Sequence, residues 1–458
     1  MSSEKHSETP RVRVVVLSFD GGQMTLDCLE SLLRSEWPAD RLEVVMVDNG
    51  SLDNISPRVR ELYPVVRILE PLANLGFAGG CNLGMLAPVE NGFDPDFIAL
   101  VNNDATVAPN WLAPLVESIG QATDIGAASS KMVFAPRFTG IDFIVSSTRP
   151  IGDEPPGVCI NAVRFDGRRD DRRLATDEGV YASMDVEPGG EREMQRWTKA
   201  SGAIRVPWDS VEQVRPMTVS LLLSAWSERV VTFRTDLGET AHVLGPDPHW
   251  VEIPVGTDSF DVINNVGSNL YAGGFGGDRG FQERDRGQYE EPAEVFAWCG
   301  GAVLLRREYL DAVGVFDERF FLYYEDTDLS WRGRLQGWRY VYEPRSVVRH
   351  RHAQSSGVGS KIFRFHTERN RLLMLAKCAP ARVAIRAGLG EVKRSLIVHW
   401  KDLIARPLTL QMPLKTIAGE RRHVLLSYLK FLPGMIRDRW MMDRRVSRRS
   451  LMRWEVTK

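Results

Sequence analysis

Short apolar runs alternate with segments of helical spacing in the first part of the chain. Residues 12–19 form a continuous run rich in β-branched side chains, which is typical of a strand buried on both faces. Residues 26–33 carry apolar side chains at helical spacing, and further strands are predicted at 42–47 and 97–101. This alternation over residues 11–134 predicts a parallel sheet with crossover helices, and therefore an α/β fold.

The pattern changes after this region. Between residues 138 and 265, charged loops containing Gly and Pro separate short runs that alternate apolar and polar residues. We interpret this segment as a β-rich, sandwich-like insertion. The α/β pattern resumes near residue 293, and residues 361–458 are predicted to form basic helices interrupted by prolines.

Composition narrows the class of protein. The 458 residues are 43% hydrophobic and 26% charged, which is usual for a globular protein. The five cysteines are odd in number and lack a CxxC pair, so we expect reduced thiols rather than disulfides or a zinc site. We find neither an apolar leader in residues 1–10 nor an apolar run long enough to span a bilayer, and we expect a cytoplasmic location.

Charge is distributed unevenly along the chain. Residues 361–458 contain 23 Lys and Arg against 7 Asp and Glu, although the whole chain carries a net charge of only −2. A basic tail of this kind would suit either nucleic acid or an anionic membrane as a partner. No nucleic-acid-binding motif accompanies it, so we expect no binding of nucleic acid. Apolar residues lie among the basic ones: Leu425, Leu426, Leu429, Phe431, Leu432, Met435, Ile436 and Trp440.

This tail pattern predicts basic amphipathic helices, and we expect peripheral attachment to an anionic cytoplasmic leaflet. A helical hairpin packed on the rest of the protein is the alternative. The sequence leaves the oligomeric state open, a homo-oligomer included.

Polar residues follow the predicted strands, where open α/β sheets bind ligands. Asn102-Asn103-Asp104 follows the strand at 97–101, and its amide and carboxylate oxygens suit Mg²⁺ or Mn²⁺. A turn is the alternative that the local sequence favours. His350 ends another apolar strand between two arginines, where a neutral imidazole would complete a metal site.

An acidic cluster, Glu325-Asp326-Thr327-Asp328, opens a predicted helix. Carboxylates are favoured at a helix N-terminus, so capping explains the cluster as well as a general base does. Asp328 is also placed to pair with Arg332 four residues later.

A glycine-rich segment, residues 76–80, opens another predicted helix between Asn74 and Asn82. Its backbone could approach a ligand closely, and a tightly packed helix start is the alternative. The segment does not fit GxGxxG and the chain contains no GxxxxGK[ST], which disfavours a dinucleotide-binding fold and a P-loop.

Together these motifs resemble family 2 glycosyltransferases of the GT-A fold, in particular the rhamnosyltransferase type. The matching stretches are residues 14–18, 47–51, 74–82, 100–104, 299–302, 314–318, 320–321 and 325–332. Their order and spacing make the resemblance specific. It covers roughly residues 11–134 and 293–370 and leaves the insertion and the tail unexplained.

The resemblance implies a role for each motif. It places on the nucleotide-sugar side Ser18, Asp20, Asp48, Asn74, Gly76, Gly79, Asn82 and Asn103. It places Asn102 and Asp104 at the DXD metal positions, with His350 as a further ligand of Mn²⁺ or Mg²⁺, and it makes Asp326 the catalytic base. The acceptor side would comprise Trp298, Cys299, Gly300, Glu325 and Arg332. Asp20 and Asn102 depart from the usual Asn and Asp, and the neutral Asn102 amide is expected to weaken metal binding.

We therefore predict a GT-A type α/β domain that is interrupted by the β-rich insertion and followed by a C-terminal helical region. The predicted segments are a disordered N-terminus (1–10), the nucleotide-binding part (11–137), the insertion (138–265), the acceptor and metal part (266–360) and the basic helical region (361–458). Residues 267–289 are either a lid over the donor or a surface loop. Trp208, Trp226 and Trp250 in the insertion either stack on glycan or fill a sandwich core.

The expected function is metal-dependent, inverting transfer of a sugar from a nucleotide-diphosphate-sugar to a cell-envelope glycan or lipid-linked saccharide. Rhamnose is the expected sugar. The alternatives are a galactofuranosyltransferase and a glycan-binding protein that has lost catalysis, although Asp104, Asp326 and His350 together argue against the second.

Overall fold

The computed structural model describes residues 9–147, 156–169, 175–176, 196–208, 216–351, 360–401 and 415–457. The expected disordered N-terminus therefore lies almost wholly outside the described residues. The chain divides into two compact units. An α/β unit comprises residues 1–135, 263–281 and 287–458, and a β unit comprises residues 136–262 and 282–286.

The first part of the α/β unit alternates strands and helices. Its elements are β1 (Val12–Ser18), α1 (Gly22–Leu33), β2 (Leu42–Asp48), α2 (Ile55–Leu62), β3 (Arg67–Leu69), α3 (Gly76–Met85), β4 (Phe97–Asn102), β5 (Ala105–Val107), α4 (Leu112–Gly120) and β6 (Ile125–Phe134). The strands predicted from the apolar runs correspond to β1, β2 and β4.

The β unit consists of two antiparallel sheets. Its strands are β7 (Arg137–Ser146), β8 (Cys159–Phe165), β9 (Arg168–Arg169), β10 (Ala175–Thr176), β11 (Arg196–Trp197), β12 (Ser201–Trp208), β13 (Met217–Ser224), β14 (Arg229–Thr235), β15 (Gly238–Leu244) and β16 (His249–Val255). One sheet has the order β10-β12-β7-β14-β15, and the other has β11-β8-β13-β16 with β9 beside β8. Apolar side chains from both sheets form one core, which confirms a β-rich, sandwich-like insertion.

The α/β unit then continues to the end of the chain. Its elements are β17 (Ile263–Asn265), β18 (Ser268–Tyr271), β19 (Phe275–Asp278), β20 (Ala293–Glu294), β21 (Ala302–Arg306), α5 (Arg307–Val313), α6 (Glu325–Gln336), β22 (Arg339–His350), α7 (Lys361–Cys378), α8 (Ala381–Trp400), α9 (Lys415–Met441) and β23 (Glu455–Val456). Short 3₁₀ helices cover Ala39–Arg41, Glu318–Phe320 and Ser450–Trp454. Because β17 pairs with β6, residues 263–265 belong to this unit rather than to the insertion.

One large mixed sheet organises the α/β unit, in the order β20-β22-β6-β21-β4-β1-β2-β3. Strands β1, β2 and β4 are parallel, and Ser18 is in register with Asp48 while Leu17 is in register with Asn102. The carboxyl ends of these three strands therefore lie side by side. Antiparallel β5 pairs Ala105 with His350, which brings the end of β22 to the residue after Asp104.

The C-terminal helices contribute to the core of the same unit. Met435 is fully buried, and Leu425, Phe431 and Leu432 are partly buried against α6 and α7 residues in one apolar cluster. Trp440, in contrast, is 82% exposed. The apolar residues of the predicted amphipathic helix thus divide between an inward and an outward face. Within the described residues, no helix is both long and apolar enough to cross a bilayer.

Candidate functional site

The loops after β1 and β2 bond to each other. Asp48 accepts hydrogen bonds from the Ser51 amide (3.0 Å) and the Ser56 hydroxyl (2.6 Å). Asp20 has a positive φ of 50°, and its carboxylate accepts from the Leu52 amide at 2.6 Å. Both carboxylates therefore stabilise the loop conformation at the strand ends. The contacts of Asp20 and Asp48 are thus explained by the turns after β1 and β2, and they do not require a ligand.

Two more residues of the expected nucleotide side bond to the start of α1. The Ser18 hydroxyl lies 3.0 Å from the Thr25 hydroxyl, and the Asn103 amide donates to the same Thr25 oxygen at 3.0 Å. Both residues are buried. Thr25 thus connects the ends of β1 and β4.

The glycine-rich segment forms the start of α3 and packs closely. Gly76 has a φ of +72°, and a Cβ atom there would lie 2.5 Å from the Phe321 carbonyl oxygen. The Asn74 side-chain oxygen accepts from the Gly76 amide at 2.8 Å. A Cβ atom at Gly79 would come within 2.9 Å of Leu75. Close approach of backbones therefore requires glycine here.

Asn82, on the same helix, exchanges two hydrogen bonds with the backbone of Phe316. This buried amide holds the segment that precedes α6 against α3. These contacts of Asn82 therefore stabilise the fold.

His350 and Asp104 face each other at the ends of β22 and β4. The His350 Nε2 atom lies 2.9 Å from the Asp104 Oδ1 atom and 3.2 Å from the Asn102 amide nitrogen. The other ring nitrogen, Nδ1, lies 3.0 Å from the Asn264 side-chain oxygen. The structure therefore brings together all three predicted metal ligands and adds Asn264, which the predicted bounds placed at the end of the insertion.

The chemistry of this group fits a divalent cation. If Nδ1 donates its hydrogen to Asn264, Nε2 presents a lone pair toward the Asp104 carboxylate, and His350 and Asp104 would be the residues that hold a divalent cation. Rotating the Asn102 amide would turn its oxygen toward the same point.

Asp104 and His350 are the two ionisable members of this group. Among the described residues, no cluster of three or more His, Cys, Asp or Glu side chains is arranged to hold a metal ion. Amides, water or ligand oxygens would therefore have to complete the coordination. Phosphate oxygens of a nucleoside diphosphate are suited to that role.

Asp326 lies in the first turn of α6. Its carboxylate accepts from the Gly300 amide at 3.1 Å and from the Thr327 amide at 2.6 Å. Burial raises the pKa of Asp326 above its ordinary value, against the lowering effect of these hydrogen bonds. The backbone carbonyl of Gly301, the next residue along, accepts from the backbone N–H of Asn102 at 2.9 Å. Two adjacent glycines thus join Asp326 to the strand end that carries the metal-type group.

Asp278, at the end of β19, is an additional carboxylate in the same site. Burial raises its pKa to about 6, although a hydrogen bond from Asn265 opposes the shift. The charges of Asp326 and His350 also act on its pKa, in opposite directions. The sequence placed Asp278 only within a glycine-rich lid or loop. The nearby glycines were the only sequence feature that pointed to a functional segment here, because no recognised motif contains Asp278.

The five residues expected on the acceptor side differ in environment. Gly300 and partly exposed Cys299 lie beside Asp326, and burial raises the pKa of the Cys299 thiol well above its ordinary value. Trp298 is fully buried, with its ring 6.0 Å from that of Phe316. Arg332 is also buried, with its Nε atom 2.8 Å from Asp328.

Trp298 and Arg332 are therefore engaged in core packing and ion pairing. The pairing of Asp328 with Arg332 is the structural alternative that their spacing suggested. Both side chains support α6 from within the fold.

The loop before α6 has an unusual backbone. Phe321, Tyr323 and Tyr324 have φ values of 63°, 68° and 69°, a region that bulky residues rarely occupy. The Asn370 amide, in α7, lies 2.9, 2.8 and 2.7 Å from the carbonyl oxygens of Phe320, Leu322 and Tyr323. One buried side chain of the C-terminal region therefore holds the loop that leads into Asp326.

Part of the chain matches a known protein family. Residues 13–139 match the model of glycosyl transferase family 2. This match covers a little over a quarter of the chain and agrees with the resemblance that its motifs indicated.

The curated relatives that it matches include rhamnosyltransferases. The N-acetylglucosaminyl-diphospho-decaprenol L-rhamnosyltransferase of Mycobacterium tuberculosis (strain H37Rv) is 46% identical over 69 residues, 15% of this chain and 22% of that protein. Rhamnosyltransferase WbbL of Escherichia coli K12 is 39% identical over 75 residues, 16% of this chain and 28% of that protein. This chain thus spans about a quarter of the length of these relatives.

Two solved structures overlap most of the chain at low similarity. They are GalNAc-T7 with UDP, GalNAc and Mn²⁺, and the mannosyltransferase PcManGT from Pyrobaculum calidifontis with GDP-Man and Mn²⁺. The first has a TM-score of 0.44 and 11% identity, covering 95% of this chain and 59% of that one. The second has a TM-score of 0.40 and 13% identity, covering 93% and 88%. These scores are too low to support a statement about this chain.

Glu325 provides a test of the site's electrostatics. It is buried, one carboxylate oxygen has no hydrogen-bond partner among the described residues, and burial together with the Asp326 charge raises its pKa well above the ordinary value. A raised folded-state pKa means that the folded protein binds the proton more tightly than the unfolded chain does. The contribution of Glu325 to stability is therefore greatest below its unfolded pKa of about 4.3 and is lost as pH rises through the folded pKa.

We expect Glu325→Gln to reduce this fall, by about 1.4 kcal/mol for each unit of pKa shift that is removed. Urea unfolding of both proteins between pH 4.5 and 8 measures the two slopes. Equal slopes would contradict a buried, destabilising carboxylate.

Proposed function

We propose that this chain is a metal-dependent, inverting glycosyltransferase that transfers a sugar from a nucleotide-diphosphate-sugar to a cell-envelope glycan or lipid-linked saccharide. The observation that carries the proposal is the facing pair of Asp104 and His350 at the strand ends, joined through Gly300 and Gly301 to Asp326. The donor would lie over the strand ends, and the acceptor would approach from the side of α6.

The arrangement supports direct displacement. A divalent cation held by Asp104 and His350 would neutralise the departing nucleoside diphosphate. Asp326 would accept the proton of the acceptor hydroxyl. The hydroxyl oxygen would bond to the anomeric carbon of the donor sugar as the bond from that carbon to the phosphate oxygen breaks. A raised pKa suits Asp326 to this role, because a base is most effective when its pKa approaches the working pH. One-step attack from the opposite face inverts the anomeric configuration.

Rhamnose, carried as dTDP-rhamnose, is the donor sugar that we propose. Its support is the partial similarity to proteins whose names describe rhamnosyl transfer. Galactofuranose is the alternative sugar, and a glycan-binding protein without catalysis is the alternative function. In the β unit, Trp226 is exposed and lies 6.0 Å from Trp197 between ring centres, which would suit glycan stacking.

We also propose a peripheral location at an anionic membrane surface. Helix α8 exposes Ile385, Leu389, Leu396 and Trp400 beside basic residues, and its carboxylate Glu391 is buried. Helix α9 exposes Leu426, Leu429, Ile436 and Trp440. Apolar and basic residues on one outward face are the pattern of helices that lie in a membrane interface.

A panel of donors tests the proposed function directly. We expect dTDP-rhamnose with Mn²⁺ to raise the melting temperature, whereas UDP-galactofuranose, UDP-glucose, UDP-N-acetylglucosamine and GDP-mannose have smaller effects, since a ligand of the folded state stabilises it. The shift should require metal and disappear in His350→Ala. A folded protein that no donor stabilises would favour the glycan-binding alternative.

The proposed base is tested by Asp326→Asn. The amide cannot accept the proton, so turnover should fall by about 10²-fold or more, while the metal-dependent thermal shift with donor persists. Transfer is measured from release of nucleoside diphosphate in the presence of acceptor. Turnover within about threefold of the native value would exclude Asp326 as the base.

The loop before α6 is tested by Asn370→Ala. Loss of the amide leaves the Leu322 and Tyr323 carbonyls without this donor and frees a strained loop, although Phe320 keeps its bond from Arg369. We therefore expect stability to fall by about 1–3 kcal/mol and turnover by at least about tenfold, with little change in donor KM. Asn161→Ala, which removes a bond to Ser224 in the β unit, is the matched control. A stability loss with unchanged turnover in Asn370→Ala would make its role structural only.

A further inference from the structure

A cavity of about 680 Å³ lies between the β18–β19 hairpin, α7, α8 and the C-terminal residues. Its walls are mainly apolar and include Phe275, Val383 and Met452. Three arginines, Arg371, Arg386 and Arg394, also line it. The cavity is therefore an apolar space with several guanidinium groups at its border.

The charges in this cavity favour an anion. Glu455 is the carboxylate in the lining, and it accepts from the Gly273 amide at 3.1 Å. Arg371 donates to the Gly273 carbonyl at 3.1 Å and lies 4.1 Å above the Phe275 ring. Arg394 lies 3.1 Å from buried Glu391.

Arg386, in contrast, is exposed and forms no ion pair with any residue that the structure describes. Guanidinium groups bind phosphate oxygens through paired, charge-assisted hydrogen bonds. The cavity thus has a basic side with at least one uncommitted cation.

An apolar track leads out of the cavity along α8. A second cavity of about 600 Å³ shares Val383 and Arg386 with the first and is also lined by Ile385 and Leu389. These two side chains are 60% and 65% exposed. A ligand with a charged head in the first cavity would therefore place an apolar chain on the outward face of α8.

The hairpin connects this cavity to the proposed acceptor side. Gly276, next to the lining residue Phe275, donates from its amide to the Tyr324 hydroxyl at 3.3 Å. Tyr324 directly precedes α6, which carries Asp326, and the hairpin ends at Asp278. The hairpin thus links one wall of the cavity to the start of α6 and to Asp278.

We propose that this cavity binds the phosphate-bearing head of a lipid-linked acceptor, with the lipid chain leaving along Ile385 and Leu389. The inference rests on the proposed function for the identity of the ligand as an acceptor. The chemistry that it requires is an anionic phosphate or diphosphate joined to a long apolar chain.

Binding of farnesyl diphosphate to the full chain tests this proposal, by calorimetry below the critical micelle concentration and without divalent metal. Inorganic pyrophosphate and farnesol are separate probes of the head and the chain. We expect farnesyl diphosphate to bind at least about tenfold more tightly than either. Equal binding of pyrophosphate would indicate a site for free anions, equal binding of farnesol would indicate an apolar site, and either result would overturn the proposal.

Variants on α8 locate the binding. Arg386→Glu should weaken farnesyl diphosphate binding at least about tenfold, whereas Lys393→Glu, an exposed charge reversal on the same helix outside both cavities, should have little effect. Leu389→Ser should weaken binding of farnesyl diphosphate but not of pyrophosphate. Equal losses in the Arg386 and Lys393 variants, or no loss in either, would reject this cavity.

Competition separates this proposal from the proposed donor site. Saturating dTDP with Mn²⁺ should leave farnesyl diphosphate bound, and displacement would place the probe in the donor site and overturn the inference. Asp326→Asn should bind farnesyl diphosphate normally. Loss of turnover with normal farnesyl diphosphate binding would therefore count against the proposed function alone. An active enzyme that does not bind farnesyl diphosphate would count against this inference alone.

Discussion

The site depends on two acceptors that are held face to face: the Asp104 carboxylate and the Nε2 atom of His350, 2.9 Å apart. They come from strand ends almost 250 residues apart along the chain, and the pairing of β22 with β5 and β6 brings them together. Asn264 fixes the orientation of the imidazole from its other side. Without this register, Asn102 and Asp104 would be an ordinary polar turn, which is what their local sequence favours.

The C-terminal region contributes to the same site through α7, which contacts the loop that precedes α6. Asn370 bonds to three carbonyls of a loop whose bulky residues adopt positive φ values. Gly76, at the start of α3, packs closely against Phe321 of the same loop. The nucleotide-side helix and the tail thus meet at the segment that leads into Asp326. This contact gives the tail a role in organising the catalytic region, in addition to its outward apolar and basic face.

Much of the fold could be predicted because its signals are local. The buried β-branched run of β1, the strands β2 and β4, and the change to alternating patterns after residue 138 all reflect burial of neighbouring side chains. The motifs at the strand ends were also local. Site contacts that join distant segments could not be predicted in this way, because no periodicity encodes them.

Asn264, Asp278 and Asn370 illustrate this limit. Asn264 lies at the end of the predicted insertion, where the pairing of β17 with β6 was not visible. Asp278 lies in a glycine-rich segment, and the carbonyls that bond Asn370 lie 47–50 residues away. The tail shows the same effect, since Met435 is buried by a distant apolar cluster while Trp440, five residues later, is exposed. Helical spacing predicted an apolar face but not which residues the rest of the unit would cover.

The most direct measurement is the position of Mn²⁺ by anomalous diffraction in crystals soaked with Mn²⁺ and dTDP. We expect one strong peak between the Asp104 carboxylate and His350 Nε2, with the diphosphate oxygens completing the coordination of the metal. Bound nucleotide with no metal at these two side chains, or metal and nucleotide at another place in the fold, would contradict the proposed site and the reaction built on it.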